Sequence, residues 1–268
     1  MAEFPGFDVL LGRLAERRGL CVGDLSRLSA VPEDELGAVL DGAAPVPSLL
    51  RRLAPVFQLK AEDLFVIADV ALPREMTPLD PDAGTAVASL ARHAVRLPQD
   101  QRDQLRRIAQ SLPQERRTKP VPEPRPYLRY PPGPGGLLMR LLANRNLGWS
   151  AAAKTFLPLT GRYWSPSTYG QAGHGCVGLT PDLLADYAIV LGIRAGDLAV
   201  LTGVDLREGT ASPTEAVVDV TGLIWDVRRL TRDQVRQLSD SAKSCVERGP
   251  TDRPASPGRR LPATHEPC

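Results

Sequence analysis

"PSLLRRLAPVFQLKAEDLFVIADV", Pro47 to Val70, returns in the same chain as "PDLLADYAIVLGIRAGDLAVLTGV", Pro181 to Val204. A shorter return is tighter. "LPQDQRDQL" at Leu97–Leu105 becomes "LTRDQVRQL" at Leu230–Leu238, identical at five of nine positions. Self-similarity at a long spacing means that one unit has been laid down twice, so the first copy carries most of the fold. Its apolar residues recur at helical spacing. Leu10, Leu11, Leu14 and Leu20 form one stripe, Leu25 and Leu28 a second, and Val31, Leu36, Val39 and Leu40 a third. Leu49, Leu50, Leu53, Val56 and Phe57 form a fourth, and Leu64, Phe65, Ile67 and Ala68 a fifth. Gly19 and Asp41-Gly42 are stops, and Pro55 should kink or end the fourth helix. No stretch alternates apolar and polar residues as a half-buried strand would. The expectation is an all-α chain of two related five-helix bundles, each followed by a helix pair.

The predicted boundaries follow the repeat. Residues 1–72 form the first unit and 73–112 a helix pair broken near Leu97-Pro98. Residues 113–136, "PQERRTKPVPEPRPYLRYPPGPGG", read as a Pro-rich basic linker. Residues 137–206 form a second, degenerate unit, 207–248 a second helix pair, and 249–268 a tail expected to be disordered. Between Leu147 and Leu179 the second copy is longer by about seven residues, an insertion containing "GRYWSPSTYGQAGHGCVG". The helix pairs are apolar on one side and can pack on each other, within one chain or between two chains as a homodimer. Trp225, in "TGLIWDVRRL", reads as a core anchor.

Composition narrows the function. A net charge of +2 gives no bulk electrostatic case for nucleic acid, so any such case must come from local patches. The four cysteines, Cys21, Cys176, Cys245 and Cys268, make no CxxC pair, and only three histidines exist, which argues against a zinc site. No G-x-S-x-G or H-E-x-x-H motif occurs, and "GQAGHG" at Gly170–Gly175 lacks the Gly-Lys-Ser/Thr ending of a phosphate loop. His93 and Cys176 have no catalytic partner nearby in sequence. The expectation is a non-enzymatic protein with no cofactor and no metal. No run approaches the roughly 20 apolar residues of a membrane span, and "MAEFPGFDVL" has no signal-peptide pattern, so a cytoplasmic location is expected, with no membrane partner. Arginine outnumbers lysine by 29 to four amid abundant Ala, Gly and Pro, which points to a GC-rich bacterial genome.

The stretch from Leu10 to Phe65 resembles the phage-repressor-like helix-turn-helix family, often called Xre, in bacteria. Leu14, the "RRGL" at Arg17–Leu20, Leu25, Val31, Leu36, Asp41-Gly42, Leu53, Leu59 and Leu64 carry the resemblance. It implies a helix-turn-helix-like bundle of five helices in each copy, the second and third docking on DNA and the third entering the major groove. Where the family often places Gln at the start of helix two, this chain has Val22, Gly23 and Asp24. Where the third helix opens with small polar or basic residues, it has Glu33, Asp34 and Glu35. Three carboxylates would face a polyanion without counter-charge, whereas acidic residues in a first turn suit the helix dipole.

The second copy offers a different surface. Ser150 is a candidate N-cap, and Lys154 and Arg162 supply charge. Ser165, Ser167, Thr168, Tyr169 and Gln171 fill the region of the third helix, with Pro166 suited to its first turn. Hydroxyls can bond phosphate and Gln can read adenine, and no carboxylate lies between Trp149 and Pro181. Lys154, Arg162, Ser165, Ser167, Thr168, Tyr169 and Gln171 are therefore the candidate DNA contacts. The competing reading is a Gly-rich loop anchored by Tyr163 and Trp164. The linker residues Arg116, Arg117, Lys119, Arg125 and Arg129, with Tyr127 and Tyr130, read either as a solvated spacer or as an arm on the DNA backbone. The expected function is transcriptional regulation through double-stranded DNA. The alternative is a helix-turn-helix-derived interaction module, whose protein partner would meet Glu33, Asp34 and Glu35.

Overall fold

The computed structural model describes residues 4–115, 117, 123–206 and 212–248, and the chain is all-α, with no strand among the described residues. The first unit runs α1 (Phe7–Arg18), α2 (Val22–Ser29), α3 (Glu33–Leu40), α4 (Pro47–Leu53) and α5 (Ala61–Ile67). A pair follows, α6 (Gly84–Ala94) and α7 (Gln99–Ser111). The second unit runs α8 (Pro134–Ala143), α9 (Trp149–Thr160), α10 (Pro166–Gly173), α11 (Pro181–Leu191) and α12 (Ala195–Thr202). The second pair is α13 (Glu215–Asp226) and α14 (Arg232–Arg248). The α-helices thus run five, two, five and two along the chain. The expected tail, parts of the linker that include Arg116 and Lys119, and the start of the 207–248 segment lie outside the described residues.

Local chemistry explains the helix ends. Pro47 and Pro181 open α4 and α11, where a missing N–H costs nothing because that donor has no partner within the helix. α4 stops at Leu53, two residues before Pro55. Gly19 ends α1 with φ 64°, and Asn146, its counterpart in the second copy, has φ 59°. Gln58 and Gly192, equivalent positions before α5 and α12, have φ 53° and 64°. The repeat therefore extends to backbone conformation where the residue types have diverged. One expectation needs correction. α8 begins at Pro134, inside the stretch read as linker. Gly-rich sequence suggested a turn, but Gly135 is there because α10 crosses it: an added Cβ would lie 1.8 Å from the Ala172 carbonyl oxygen.

The two copies share one core. Buried side chains from α1 to α14 form one apolar cluster, from Leu10, Leu11 and Leu14 through Leu137, Leu141 and Phe156 to Leu223 and Leu238. α1 packs on α12 and α5 on α8, a reciprocal exchange between units. The helix pairs also cross: α6 lies along α14, and α13 along α7. Polar bonds tie this crossing, with Arg102 to Asp219 at 2.9 Å, Arg106 to Asp226 at 2.7 Å and Ser239 to Ser89 at 2.9 Å. The apolar faces of the pairs are thus covered within one chain. Trp225 is not among the fully buried core residues. It sits half-buried at the rim, with the Arg228, Arg145 and Lys60 cations 4.5, 4.9 and 5.5 Å from its ring. Its place one position past the buried Ile224 turns it off the apolar stripe.

Two ion pairs lock the exchange, each arginine reaching into the opposite copy. Arg145, after α8, donates to both Asp63 carboxylate oxygens at 2.9 and 2.8 Å, and Asn144 adds a third bond at 3.1 Å. Arg18, at the end of α1, donates to both oxygens of Asp197 at 3.0 and 2.5 Å. Each arginine also donates to a carbonyl of its own copy, Arg145 to Leu191 at 2.6 Å and Arg18 to Phe57 at 3.0 Å. Arg18 and Arg145 hold the same place in "RRGL" and "NRNL", and Asp63 and Asp197 the same place in "AEDL" and "AGDL". The bonds obey an approximate two-fold exchange of the copies. Arg145 and Asp63 are almost fully buried, at 2% and 1% exposure, whereas Arg18 keeps 13%. Removing one partner from a buried pair strands the other charge. Asp63→Ala should lower unfolding stability in urea by about 3–5 kcal/mol, and Asp197→Ala by less, because Arg18 can regain water. Both should keep a single transition. Two transitions, only one of them shifted, would refute the shared core.

Candidate nucleic-acid interface

In each copy the second and third helices meet at a turn, but the turns differ. α2 and α3 are separated by Ala30, Val31 and Pro32, with Ala30 at φ 54°. α9 has 12 residues against eight in α2, and five residues, Gly161 to Ser165, separate it from α10. Six extra residues of the second copy therefore lengthen α9 and its turn, while α10 keeps the eight-residue length of α3. Pro158 sits inside the added turn of α9, where it lacks the helical N–H. Gly148, not Ser150, is the N-cap of α9; Ser150 is an exposed residue of its first turn.

The candidate contacts fall into three groups. Lys154 on α9 and Ser167 and Gln171 on α10 are exposed, and Ser167 and Gln171 lie one turn apart on one face of α10. Ser165 caps α10, accepting from the Thr168 N–H at 3.2 Å, and its hydroxyl lies 2.7 Å from Ser167 Oγ and 2.9 Å from Thr168 Oγ1. Tyr169 does not belong to the surface. It is fully buried, edge-on to Phe156 and Tyr187 at ring distances of 5.0 and 6.1 Å, and burial pushes its phenol pKa well up. Tyr169, Ala172 and Gly173 form the inward face of α10 at i, i+3, i+4, a stripe present in the sequence but masked by the tyrosine hydroxyl. Gly170 belongs to the same packing: an added Cβ would lie 2.8 Å from the Trp149 ring.

Arg162 is also not the free cation that the carboxylate-free stretch suggested. Its Nη1 lies 3.5 Å from both Asp182 and Asp186 of α11. Asp186 is 3% exposed, and the Trp164 indole N–H donates to it at 2.7 Å. Trp164 is thus a half-buried anchor, as the loop reading expected, while Tyr163 is 64% exposed. Burial pushes the Asp186 carboxyl pKa above its ordinary value, and the Trp164 bond and the Arg162 charge pull it back.

Part of the predicted linker covers the start of α9. The Tyr130 hydroxyl accepts from the Trp149 indole N–H at 2.6 Å, and Tyr127 meets the Trp149 ring edge-on at 5.4 Å. His174, just past α10, lies 5.0 Å from the Tyr130 ring and 3.0 Å from the Tyr127 carbonyl. The nearby basic residues have local partners. Arg129 bonds Glu123 at 2.8 Å, and Arg117 donates to Thr77 at 3.2 Å and to the Pro78 carbonyl.

The first copy shows the opposite electrostatics. Glu33 and Asp34 are exposed at the start of α3, and Glu35 is half-buried. Asp24 closes a capping box at α2, accepting from the Cys21 thiol at 3.1 Å and backbone N–H at 3.2 Å, and from Arg27 at 2.9 Å. The Cys21 thiol bond, then Arg27, hold its pKa down at about 2, so Asp24 is ionised throughout the neutral range. Among the described residues no cluster of His, Cys, Asp and Glu could hold a metal ion, and no helix is long and apolar enough to cross a membrane. No family model, curated protein or solved structure matches the chain.

The Arg162–Asp186 contact has a pH signature. A carboxyl whose folded pKa is raised favours the fold while protonated. That contribution is fully present below its unfolded pKa of about 4 and is lost as pH rises through the folded value. Arg162→Ala should therefore cost about 1 kcal/mol at pH 7, the exposure of Arg162 limiting its worth, and much less near pH 4. An equal loss at both pH values in urea titrations would show that Arg162 acts by packing alone.

Proposed function

We propose that the chain is a non-enzymatic regulator that binds duplex DNA, with α10 as its reading element. One observation carries this reading. Ser167 and Gln171 share an exposed face of α10, Lys154 is exposed on the helix before it, and no carboxylate occurs from Trp149 to Pro181. Gln can make a bidentate bond to adenine, serine hydroxyls can bond phosphate, and Lys154 adds a positive charge. The N-terminus of α10 adds the Ser167 backbone N–H and the positive end of the helix dipole, Pro166 having no N–H and Thr168 donating to the Ser165 cap. In the first copy the exposed Glu33 and Asp34 oppose such a contact. The proposed interface is thus one-sided, with Lys154, Ser167, Thr168 and Gln171 as its residues. Ser165 serves as the cap that holds α10, and Arg162 as the brace between the turn and α11.

A second reading rests on a different observation. Tyr163 and Leu157, both in the region lengthened in the second copy, are 64% and 47% exposed. Together with the acidic start of α3 they suit a protein partner, which is the interaction-module alternative.

Selection of binding duplexes from a random pool by the full chain separates the two. Under the DNA reading, Lys154→Ala should weaken binding to every duplex and lower the salt slope by about one unit. Gln171→Ala should relax preference at one base pair, costing roughly 1–3 kcal/mol there. Joint replacement Glu33→Gln, Asp34→Asn and Glu35→Gln should leave the selected sequence unchanged. Recovery of no sequence above the starting pool would remove the DNA reading. Loss of selection on replacing the acidic residues, with Gln171→Ala silent, would move the interface to α3.

A further inference from the structure

The approximate two-fold exchange also fails at the helix pairs, and a cleft opens between α11 and α13. α6 lies against α9 of the second unit, whereas α13 leans on α11 and leaves a gap of about 530 Å³. That volume falls in the range of roughly 300–1,000 Å³ used by small-molecule sites. Its walls are largely apolar, with Ala188, Ile189, Val217 and the ring of Trp225 among them. Lys60, Arg145 and Arg194 also line it, and among the described residues no Asp or Glu does.

The three cations are not equivalent. Arg145 is engaged through both Nη atoms by Asp63 and two backbone carbonyls. Lys60 and Arg194, which hold the same position in the two copies, are both exposed, and neither has a carboxylate partner among the described residues. Arg194 donates only to the neutral Gln58 amide oxygen, at 2.5 Å, and the Lys60 ammonium stands 5.5 Å from the Trp225 ring. Two uncompensated positive charges thus border a greasy wall. A neutral apolar guest would gain nothing from them, and a cationic guest would be repelled. An anionic head group on an apolar body satisfies both parts of the lining.

We propose that this cleft binds a small amphipathic carboxylate. Lys60 and Arg194 meet its head group, and its apolar body lies along Ile189, Val217 and Trp225. This site is independent of α10, so it stands whether or not the chain binds DNA. Isothermal titration of the full chain with decanoate tests it, with decanol and decylammonium as isosteric probes of head-group charge. Decanoate should bind with one-to-one stoichiometry, at least tenfold tighter than either control. Lys60→Ala with Arg194→Ala should weaken decanoate at least tenfold while helical circular dichroism and a single cooperative melt are kept. The charge-conserving double variant Lys60→Arg with Arg194→Lys should retain most of the affinity. Val217→Trp, which fills the gap, should abolish binding. Equal affinity for decanol, undiminished binding in the double alanine variant, or no decanoate binding at millimolar concentration would each overturn the proposal.

Discussion

The bidentate contact between Arg145 and Asp63 is the constraint on which the rest of this molecule depends. A guanidinium and a carboxylate, both nearly out of water, are tolerable only when every donor and acceptor is met. Here the bonds come from α5 of one copy and from the Leu141 and Leu191 carbonyls of the other. Separating the copies would leave both charges stranded in apolar surroundings. A loss of about 3–5 kcal/mol is a large share of the roughly 5–15 kcal/mol that holds a typical domain folded. The matching Arg18–Asp197 pair repeats the argument from the other side. The copies are therefore halves of one core, and α6, α7, α13 and α14 complete it.

Duplication sets the symmetry, and function would reside where the symmetry is broken. α3 keeps a surface of carboxylates, whereas its counterpart α10 carries hydroxyls and an amide. Arg228 has no arginine counterpart in the first copy; it bonds Glu62 at 2.8 Å and the Asn144 carbonyl at 2.8 Å, next to Trp225. Burial lowers its pKa, and the Glu62 and Asp63 charges work against that shift. This added arginine lets α13 end beside α5, where α6 has no such anchor.

Helix number, helix order and most helix ends were legible in the sequence, because apolar spacing, Pro and Gly act locally. The stop of α4 before Pro55, the break at Leu97-Pro98 and the two turns of α10 follow from such local signals. What was not legible depends on contacts distant in sequence. Gly135 read as a linker residue because its partner, the Ala172 carbonyl, lies in another helix. Arg162 read as free because Asp182 and Asp186 lie just beyond the carboxylate-free stretch. Trp225 read as core because size alone suggests burial, and two of the three cations around it, Lys60 and Arg145, come from distant segments. One signal was available and carried more than the apolar pattern did. Arg18 and Arg145, Asp63 and Asp197, and Lys60 and Arg194 are charges held at equivalent positions in copies that otherwise drifted. A charge kept at the same place in both copies marks the seam between them.

The seam also sets a timetable for synthesis. Arg18 and Asp197 are 179 residues apart in the chain. At roughly 5–20 residues per second, Arg18 would be made about ten to forty seconds before its partner. Over that interval the face of α1 that meets α12 lacks its partner helix, whereas the face of α5 waits only for the earlier α8. The first unit must wait, water-exposed along its future core, for a helix not yet translated. A tandem chain thus avoids the concentration dependence of a dimer but exchanges it for a delay, and in that delay the exposed face is open to chaperones and to other nascent chains.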